Sequence, residues 1–468
     1  MNHRAHQIAL FSSALLGVGV FLAGCSSVAT QRKFYEPVSQ SVRAQKFSEA
    51  ARQLDEAREH KKFAEKDRLL YYIDAGALHH YARDFDTSNQ MLSEADQAAD
   101  ELYTKSVSRA MASLAINDNI LEYAGEDYEL IYINIIKALN YLALNDFDGA
   151  FVEIRRLNEK LDLLENKYVD MARDFRLAAE KDTTLPTVDY EAETVRFFND
   201  AFARYLSMHM YAAEGLPDDA RIDHDLLMDA FDSQPHIYDF DPPPVSYQPD
   251  TGAIVSVVAL VGLAPVKEDV GLRIRTDKQL DLVQVLYDGG GKDGQEYGHI
   301  PMKVDADYYF KFAIPEMVVR PTPVNRIDVL LNGKKMGQLY LIEDVSSIAT
   351  SIFDVKKSLI YLRSVARAVA KGLASHAIKK KFDTGGLGGW LKKAAVDVTQ
   401  DVLENADLRT SQYLPGRVYV GDFDVPPGTY DFTLEFYDSD GHLIGRNFIE
   451  KYTVSNSGFN LVETEALY

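Results

Sequence analysis

The segment AIVSVVALVGL, residues 253–263, is an unbroken apolar run rich in β-branched residues. A membrane-spanning helix needs about 20 apolar residues, so this run is too short to cross a bilayer. Its length and composition predict a buried β-strand. The apolar period is near two after this run and near 3.6 before it, which predicts an α+β chain with helices first and strands second.

The residues that follow continue the strand pattern. Strands are predicted at Leu280–Tyr287, Tyr308–Ile314, Ile327–Leu331, Gly337–Ile342 and residues 430–436. Asn332-Gly333 supplies the positive φ angles of a tight hairpin, and Asp440-Gly441 marks a later turn. Strands at this spacing with glycine and proline turns predict an antiparallel β-sandwich-like domain, in two parts at 252–344 and 410–468.

Upstream, residues 235–251 contain a dense group of prolines and are predicted to be an extended linker. Residues 34–234 before it have a helical period and an internal repeat. The copies begin Phe47-x-x-Ala50-x-x-x-Leu54, Phe85-x-x-Ser88-x-x-x-Leu92, Phe147-x-x-Ala150-x-x-x-Ile154 and, more weakly, Pro217-x-x-Ala220-x-x-x-His224. Gly76 and Ala138 lie where two helices must approach closely. The pattern resembles the tetratricopeptide repeat (TPR), which predicts a TPR-like α-solenoid; a generic helical bundle is the alternative.

A basic helical insertion is predicted at residues 345–409, inside the β domain. From residue 355 to 393 there are ten Lys or Arg residues and one acid, in a chain of net charge −21. Candidate contacts to an anionic surface or partner are Lys356, Arg363, Arg367 and Lys371. The surface could be phospholipid head groups, an acidic partner or the chain's own acidic helices; the alternative is a basic flank that is only solvated.

The N-terminus has the layout of a secretory signal peptide, with Arg4 ahead of an apolar run and small residues before Cys25. Leu22-Ala23-Gly24-Cys25 resembles the bacterial lipobox. This predicts removal of residues 1–24, acylation of Cys25 and a tether over 25–33. The acyl chains would bind outer-membrane lipid, since Ser26 rather than Asp follows the cysteine. A plain signal peptide with an incidental cysteine is the alternative.

The composition and the motifs exclude several classes of function. Asp plus Glu number 71 against 50 Lys plus Arg, so the surface repels nucleic-acid phosphates. One cysteine excludes a multi-thiolate metal site. No HExxH, Cys-x-x-Cys or Gly-x-Ser-x-Gly motif occurs. Asp438-Ser439-Asp440-Gly441 resembles a calcium loop but lacks the later ligands, so a turn is predicted. No cofactor, metal or catalytic residue is predicted.

Several segments together resemble a family of uncharacterised Gram-negative envelope lipoproteins. The segments are the lipobox, the helical repeats, Gly262–Glu268, the helix with Tyr361 and Arg363, Ala406–Thr410 with Leu414-Pro415, and Pro426–Tyr430. The resemblance spans most of the mature chain and implies no known activity. Its implied setting is envelope or peptidoglycan biogenesis.

These features predict a non-enzymatic scaffold or adaptor, lipid-anchored to the outer membrane and facing the periplasm. The helical repeats are expected to bind an envelope protein partner. One alternative is a glycan-binding module that recognises peptidoglycan through exposed aromatic side chains. A second alternative is a hydrolase whose carboxylate pair the sequence does not reveal.

Overall fold

A computed structural model gives the fold of the chain. It describes residues 32–109, 121–181, 193–249, 252–277, 279–280, 282–287, 296–301, 309–382 and 406–468. The helices are α1 Tyr35–Arg43, α2 Phe47–Glu59, α3 Arg68–Tyr81, α4 Phe85–Arg109, α5 Asp127–Ala143, α6 Phe147–Lys181, α7 Ala201–Ala213, α8 Pro217–Ser233 and α9 Val345–Phe382. The prediction of an α+β chain is confirmed.

The strands follow α8, and α9 lies among them. They are β1 Ala253–Leu263, β2 Val266–Asp277, β3 Leu282–Tyr287, β4 Glu296–Pro301, β5 Tyr309–Val318, β6 Arg326–Leu331, β7 Lys334–Asp344, β8 Pro415–Val425, β9 Gly428–Tyr437, β10 Leu443–Val454 and β11 Asn460–Ala466. The predicted hairpin turn has φ angles of +47° at Asn332 and +78° at Gly333.

Residues 35–233, as far as the structure describes them, form four antiparallel helix pairs: α1–α2, α3–α4, α5–α6 and α7–α8. All four pairs have the same turn, in which a backbone N–H donates to the carbonyl five residues earlier at 2.8–2.9 Å. The residue before that donor has a positive φ in every case, at Gln45, Arg83, Asn145 and Gly215. This is the left-handed helix ending that satisfies the last carbonyl groups. We call these residues the helix-pair array.

Within the array, the repeat positions lie where helices pack. Ala50, Ser88, Ala150 and Ala220 are fully buried. A Cβ atom added to Gly76 would lie 2.4 Å from Leu92, so α3 and α4 require glycine at this approach, as predicted. His224, in the weakest copy, is only half-buried.

Two sheets form the second half of the described chain. The larger sheet has the order β10-β9-β6-β7-β8-β1-β11 and the smaller one β4-β3-β2-β5. The expectation of a purely antiparallel arrangement is wrong at β1 and β11, which pair in parallel. Parallel pairing is accommodated here because β1 is buried on both faces.

β1 explains why residues 253–263 are apolar without alternation. Val258 and Leu260 belong to the core shared with the helices, whereas Val255 and Val257 belong to a second core inside the sheet. Asn447 of β10 donates to the backbone carbonyl of Glu465 in β11 at 2.7 Å, so the two end strands of the larger sheet also contact each other.

The helical prediction for the insertion begins correctly at Val345 but extends too far. Residues 406–411 have no helix, and residues 406–414 run as a non-helical segment that we call the strap. Side chains of the array bind its backbone N–H groups, which replaces the hydrogen bonds of a helix.

Residues 235–249 connect α8 to the sheet without forming a helix or strand. Ile237 and Tyr238 are buried in the shared core, so this proline-rich segment packs along the body of the protein. In the part of the chain that the structure describes, no helix has the length and apolarity needed to span a membrane.

Candidate functional site

The first helix of each pair faces the β region. Ser39 of α1 and Tyr81 of α3 bond the strap residue Tyr413, at 3.2 and 2.9 Å. Further along the array, Tyr132 of α5 bonds Glu343, and Tyr205 of α7 bonds Asp422. The strap and the larger sheet therefore cover this face of the array, and the candidate site is the interface between them.

Buried carboxylates of the array bind the strap through its backbone. Ser411 N–H donates to Glu129 at 2.6 Å and Gln412 N–H donates to Asp74 at 2.8 Å. The Ser411 hydroxyl also donates to Asp74, at 2.7 Å. Burial raises the pKa of Asp74 to about 7, although these donors oppose the shift. Burial and the neighbouring charge of Glu126 raise the pKa of Glu129.

Glu126, just before α5, is held by two cations from the β region. Lys267 of β2 lies 2.8 Å from one carboxylate oxygen and Lys356 of α9 lies 2.6 Å from the other. Burial opposes ionisation of Glu126, but the two ammonium groups lower its pKa below the usual value. β2 and the first turns of α9 are thereby both fixed to the array.

Arg409 of the strap closes the same cluster. Its guanidinium pairs with Asp67 at 2.9 Å and with Asp407 at 2.7 Å, and it donates to the carbonyl of Leu121 at 2.8 Å. The guanidinium also lies over the ring of Tyr123. Burial opposes its charge, but these acids raise its pKa. We call Asp67, Asp74, Glu126, Glu129, Lys267, Lys356, Asp407 and Arg409 the strap cluster.

A second group of acids lies where α7 meets β7. Asp200 caps α7 by accepting from Ala203 N–H at 2.7 Å, and Glu343 accepts from Phe202 N–H at 3.2 Å. The Tyr132 hydroxyl donates to Glu343 at 2.6 Å. Burial, followed by the charge of Asp200, raises the pKa of Glu343 well above its usual value. Burial and the neighbouring acid therefore favour the protonated form of Glu343, and we call Asp200 and Glu343 the carboxyl pair.

A third group ties β11 to the array. His80 contacts Glu463 at 2.7 Å through Nε2 and Asn140 at 2.7 Å through Nδ1. Burial opposes ionisation of Glu463, but His80 and Arg83 lower its pKa to about 2. The neighbouring Glu465 has a pKa raised to about 7, mainly by burial. His80 therefore has a structural role, joining α3 to β11.

These three groups have one chemical property in common: their carboxyl groups are buried. Their hydrogen bonds and ion pairs can hold the array to the β region. The turn at Asp438, Asp440 and His442 brings three ligand atoms within 4.8 Å of one another. Asp438 accepts there from two backbone N–H groups, which accounts for the turn.

The predicted site residues lie in different places. Lys356 is three-quarters buried and pairs with Glu126, which fits pairing with the chain's own acidic helices. Arg363, Arg367 and Lys371 lie on α9, with side chains outside the described residues. Cys25 also lies outside the described residues.

Sequence reasoning did not single out Arg409, Glu126 or the carboxyl pair as interface residues. One signal was present, since Asp74 and Glu343 interrupt the apolar runs YYIDAGAL and LYLIEDV. An acid on the buried face of an amphipathic element predicts a buried partner. Segment Gly262–Glu268 and the strap, both noted for the family resemblance, meet here: Ala264 N–H donates to the carbonyl of Leu414 at 2.9 Å.

Comparisons of the chain with protein-family models, with curated proteins and with solved structures find no match.

Proposed function

We propose that the protein is a lipid-anchored scaffold of the cell envelope. Acylated Cys25 would hold it to the outer membrane facing the periplasm, and TPR-like helix pairs would bind a protein partner. The observation that carries this proposal is the row of four helix pairs with one shared turn geometry in the described chain. Stacked helix pairs present extended surfaces that bind protein segments. The β region, in this proposal, is a sandwich-like second module.

The partner surface would be the outer face of the array. The first helices, α1, α3, α5 and α7, are covered by the strap and the sheet, which leaves the second helices to face outward. Val152 on α6 is 40% exposed and Ile222 on α8 is 49% exposed. If these two side chains belong to one contiguous apolar patch, that patch would favour a protein contact. The partner would pack its own apolar side chains against these two helices.

Photo-crosslinking in cells tests this surface. A crosslinking amino acid at Val152 or Ile222 should capture one specific envelope protein, and Val152→Glu or Ile222→Glu should abolish its recovery. Leu280→Glu and Phe448→Glu are matched controls, because these apolar residues are even more exposed but lie in the β region. Equal recovery from all four variants, or no specific product, would count against the proposal.

Glycan recognition by the β region is the second candidate. Phe448 on β10 is 66% exposed, which places an aromatic ring on the outer surface of the sheet. Sedimentation with purified cell-wall sacculi separates the two candidates. A glycan-binding module should sediment and lose that property in Phe448→Ala, whereas a protein scaffold should stay in solution in both forms.

A further inference from the structure

The N-terminal segment and the basic insertion of this acidic chain both contact the helix-pair array at one end. The first helices of the four pairs begin at Tyr35, Arg68, Asp127 and Ala201, and we call this side of the array the base end. The shared turns lie at the opposite side, the turn end. Phe34 packs against Phe63, which precedes α3, with ring centroids 4.8 Å apart, so the chain's N-terminal part enters at the base end.

The insertion begins and ends at the same side. Lys356, near the start of α9, bonds Glu126 just before α5, and Arg409 at its return bonds Asp67 just before α3. α9 continues as helix to Phe382, and 38 residues of helix span about 57 Å. Residues 169–181 of α6 also extend past the base end, because Lys167 and Tyr168 bond Asp127, the first residue of α5.

The distribution of Lys and Arg residues also distinguishes the base end. Residues 32–36 and 58–68, the parts of the first helix pair and of its connection to α3 that lie at the base end, contain seven Lys or Arg and four Asp or Glu. Lys33 and Lys61 are exposed there. The α9 stretch from residue 356 to 381 adds eight Lys or Arg and no acid, whereas the whole chain has a net charge of −21.

The length of the tether sets how far this end can lie from the bilayer. Phe34 lies nine residue steps after Cys25. Fully extended chain spans at most about 3.5 Å per residue, so the base end lies within roughly 32 Å of an acyl group in the membrane. A helix of the length of α9 can cover that distance.

We propose that the base end faces the membrane and that its cations dock on anionic phospholipid head groups. This inference rests on the proposed lipid anchor and gives the anchored protein a defined orientation. The turn end, with Val152 and the α8 surface near it, would then point into the periplasm. Each cation near an anionic leaflet contributes roughly a fivefold preference for the docked orientation.

Energy transfer from one dye to acceptor lipids tests the orientation in the full lipidated protein. Acylated Cys25 has no free thiol, so an introduced cysteine is labelled selectively. His60→Cys places the dye at the base end and Ala44→Cys places it at the turn end of the same helix pair. On vesicles of phosphatidylethanolamine with phosphatidylglycerol, transfer should be higher from position 60. The difference should shrink on phosphatidylcholine and at about 0.5 M salt, where the screening length is roughly 4 Å.

Charge reversal identifies the cations. Arg363→Glu, Arg367→Glu and Lys371→Glu combined should reduce the docked population by roughly 100-fold and equalise the two positions. The matched control is Arg221→Glu, Lys334→Glu and Lys451→Glu, which makes the same charge change on α8 and at the far end of β7 and β10, and should keep the difference. Equal transfer from both positions in the unmodified protein, or a difference insensitive to lipid charge, would overturn the inference. An unacylated mass for the protein would instead refute the anchor itself.

Discussion

The strap cluster and the carboxyl pair lie in the same interface, between the first helices of the array and the β region, but they keep their acids buried in opposite ways. In the strap cluster, Glu126 meets Lys267 and Lys356, and its pKa is lowered. In the carboxyl pair, Glu343 meets Asp200 and a tyrosine hydroxyl, and its pKa is raised. Cations favour the charged form of the acid at the first site, whereas burial and a second acid favour the protonated form at the other.

The two sites differ because different elements supply the partners of their buried acids. The strap and α9 carry cations into the first site, whereas at the N-terminus of α7 the nearby Arg204 bonds Asn199 and Asp223 instead. Stability should therefore respond to acid in opposite directions at the two sites. Loss of a cation is expected to be costly, because it leaves a charge buried without a partner.

Of the substitutions at the two sites, Arg409→Met should cause the largest loss of stability. The substitution keeps the apolar volume but leaves Asp67 and Asp407 without their guanidinium, so the free energy of unfolding should fall by about 4 kcal/mol at pH 7. Urea denaturation measures the loss. Arg446→Met is the control, since Arg446 is half exposed and pairs with Glu435, and it should cost less than about 1 kcal/mol. Equal losses in both variants would show that Arg409 is not a structural cation.

Glu126→Gln should cost about 3 kcal/mol at pH 7, because it removes the anion that pairs directly with the buried ammonium of Lys267. The folded pKa of Glu126 is lowered, so its contribution is present above the unfolded value of 4.5 and is lost as the pH falls through the folded value. The difference between wild type and variant should therefore shrink below about pH 4. A difference that stays constant with pH would contradict the ion-pair assignment.

The strands and the helix-pair turns were accessible to sequence reasoning because their signals are local. The β-branched run at 253–263 and the Asn332-Gly333 turn specify their backbone from neighbouring residues alone. Polar residues also precede Phe47, Phe85 and Phe147 in the sequence, at the position of the shared turn.

The strap was not accessible in this way, because its conformation depends on distant partners. Arg409 and Asp67 are separated by 342 residues, and Ser411 and Glu129 by 282. The apolar period that predicted helix up to residue 409 says nothing about carboxylates on α3 and α5 that bind the strap's backbone. The sequence did not show that β1 contributes to two cores, for the same reason. One core forms with the helices, and the other forms with strands that precede and follow α9 in the chain.

Tyr132→Phe is a smaller perturbation of the carboxyl pair. Removal of the hydroxyl takes one hydrogen bond from Glu343 and should cost about 1 kcal/mol near pH 5. That bond lowers the pKa of Glu343, so its loss should raise the pKa further and move the alkaline loss of stability to higher pH. Tyr340→Phe is a control on an exposed tyrosine and should change stability by less than about 0.5 kcal/mol. An unchanged dependence of stability on pH would show that Tyr132 does not influence the titration of Glu343.

Glu343→Gln should have the smallest effect and is the sharpest counterpart of Glu126→Gln, because the chemical change is identical. Glutamine imitates the protonated acid, so the variant should lie within about 1 kcal/mol of the wild type at pH 5. The folded pKa of Glu343 is raised, so its contribution to stability is complete below the unfolded value of 4.5 and is lost as the pH rises through the folded value. Glutamine cannot ionise, and the variant should therefore gain on the wild type as the pH is raised towards 9. Urea unfolding at several pH values measures both variants. A loss of about 3 kcal/mol at every pH, equal to that of Glu126→Gln at pH 7, would mean that Glu343 is buried as an anion and that both sites depend on cations.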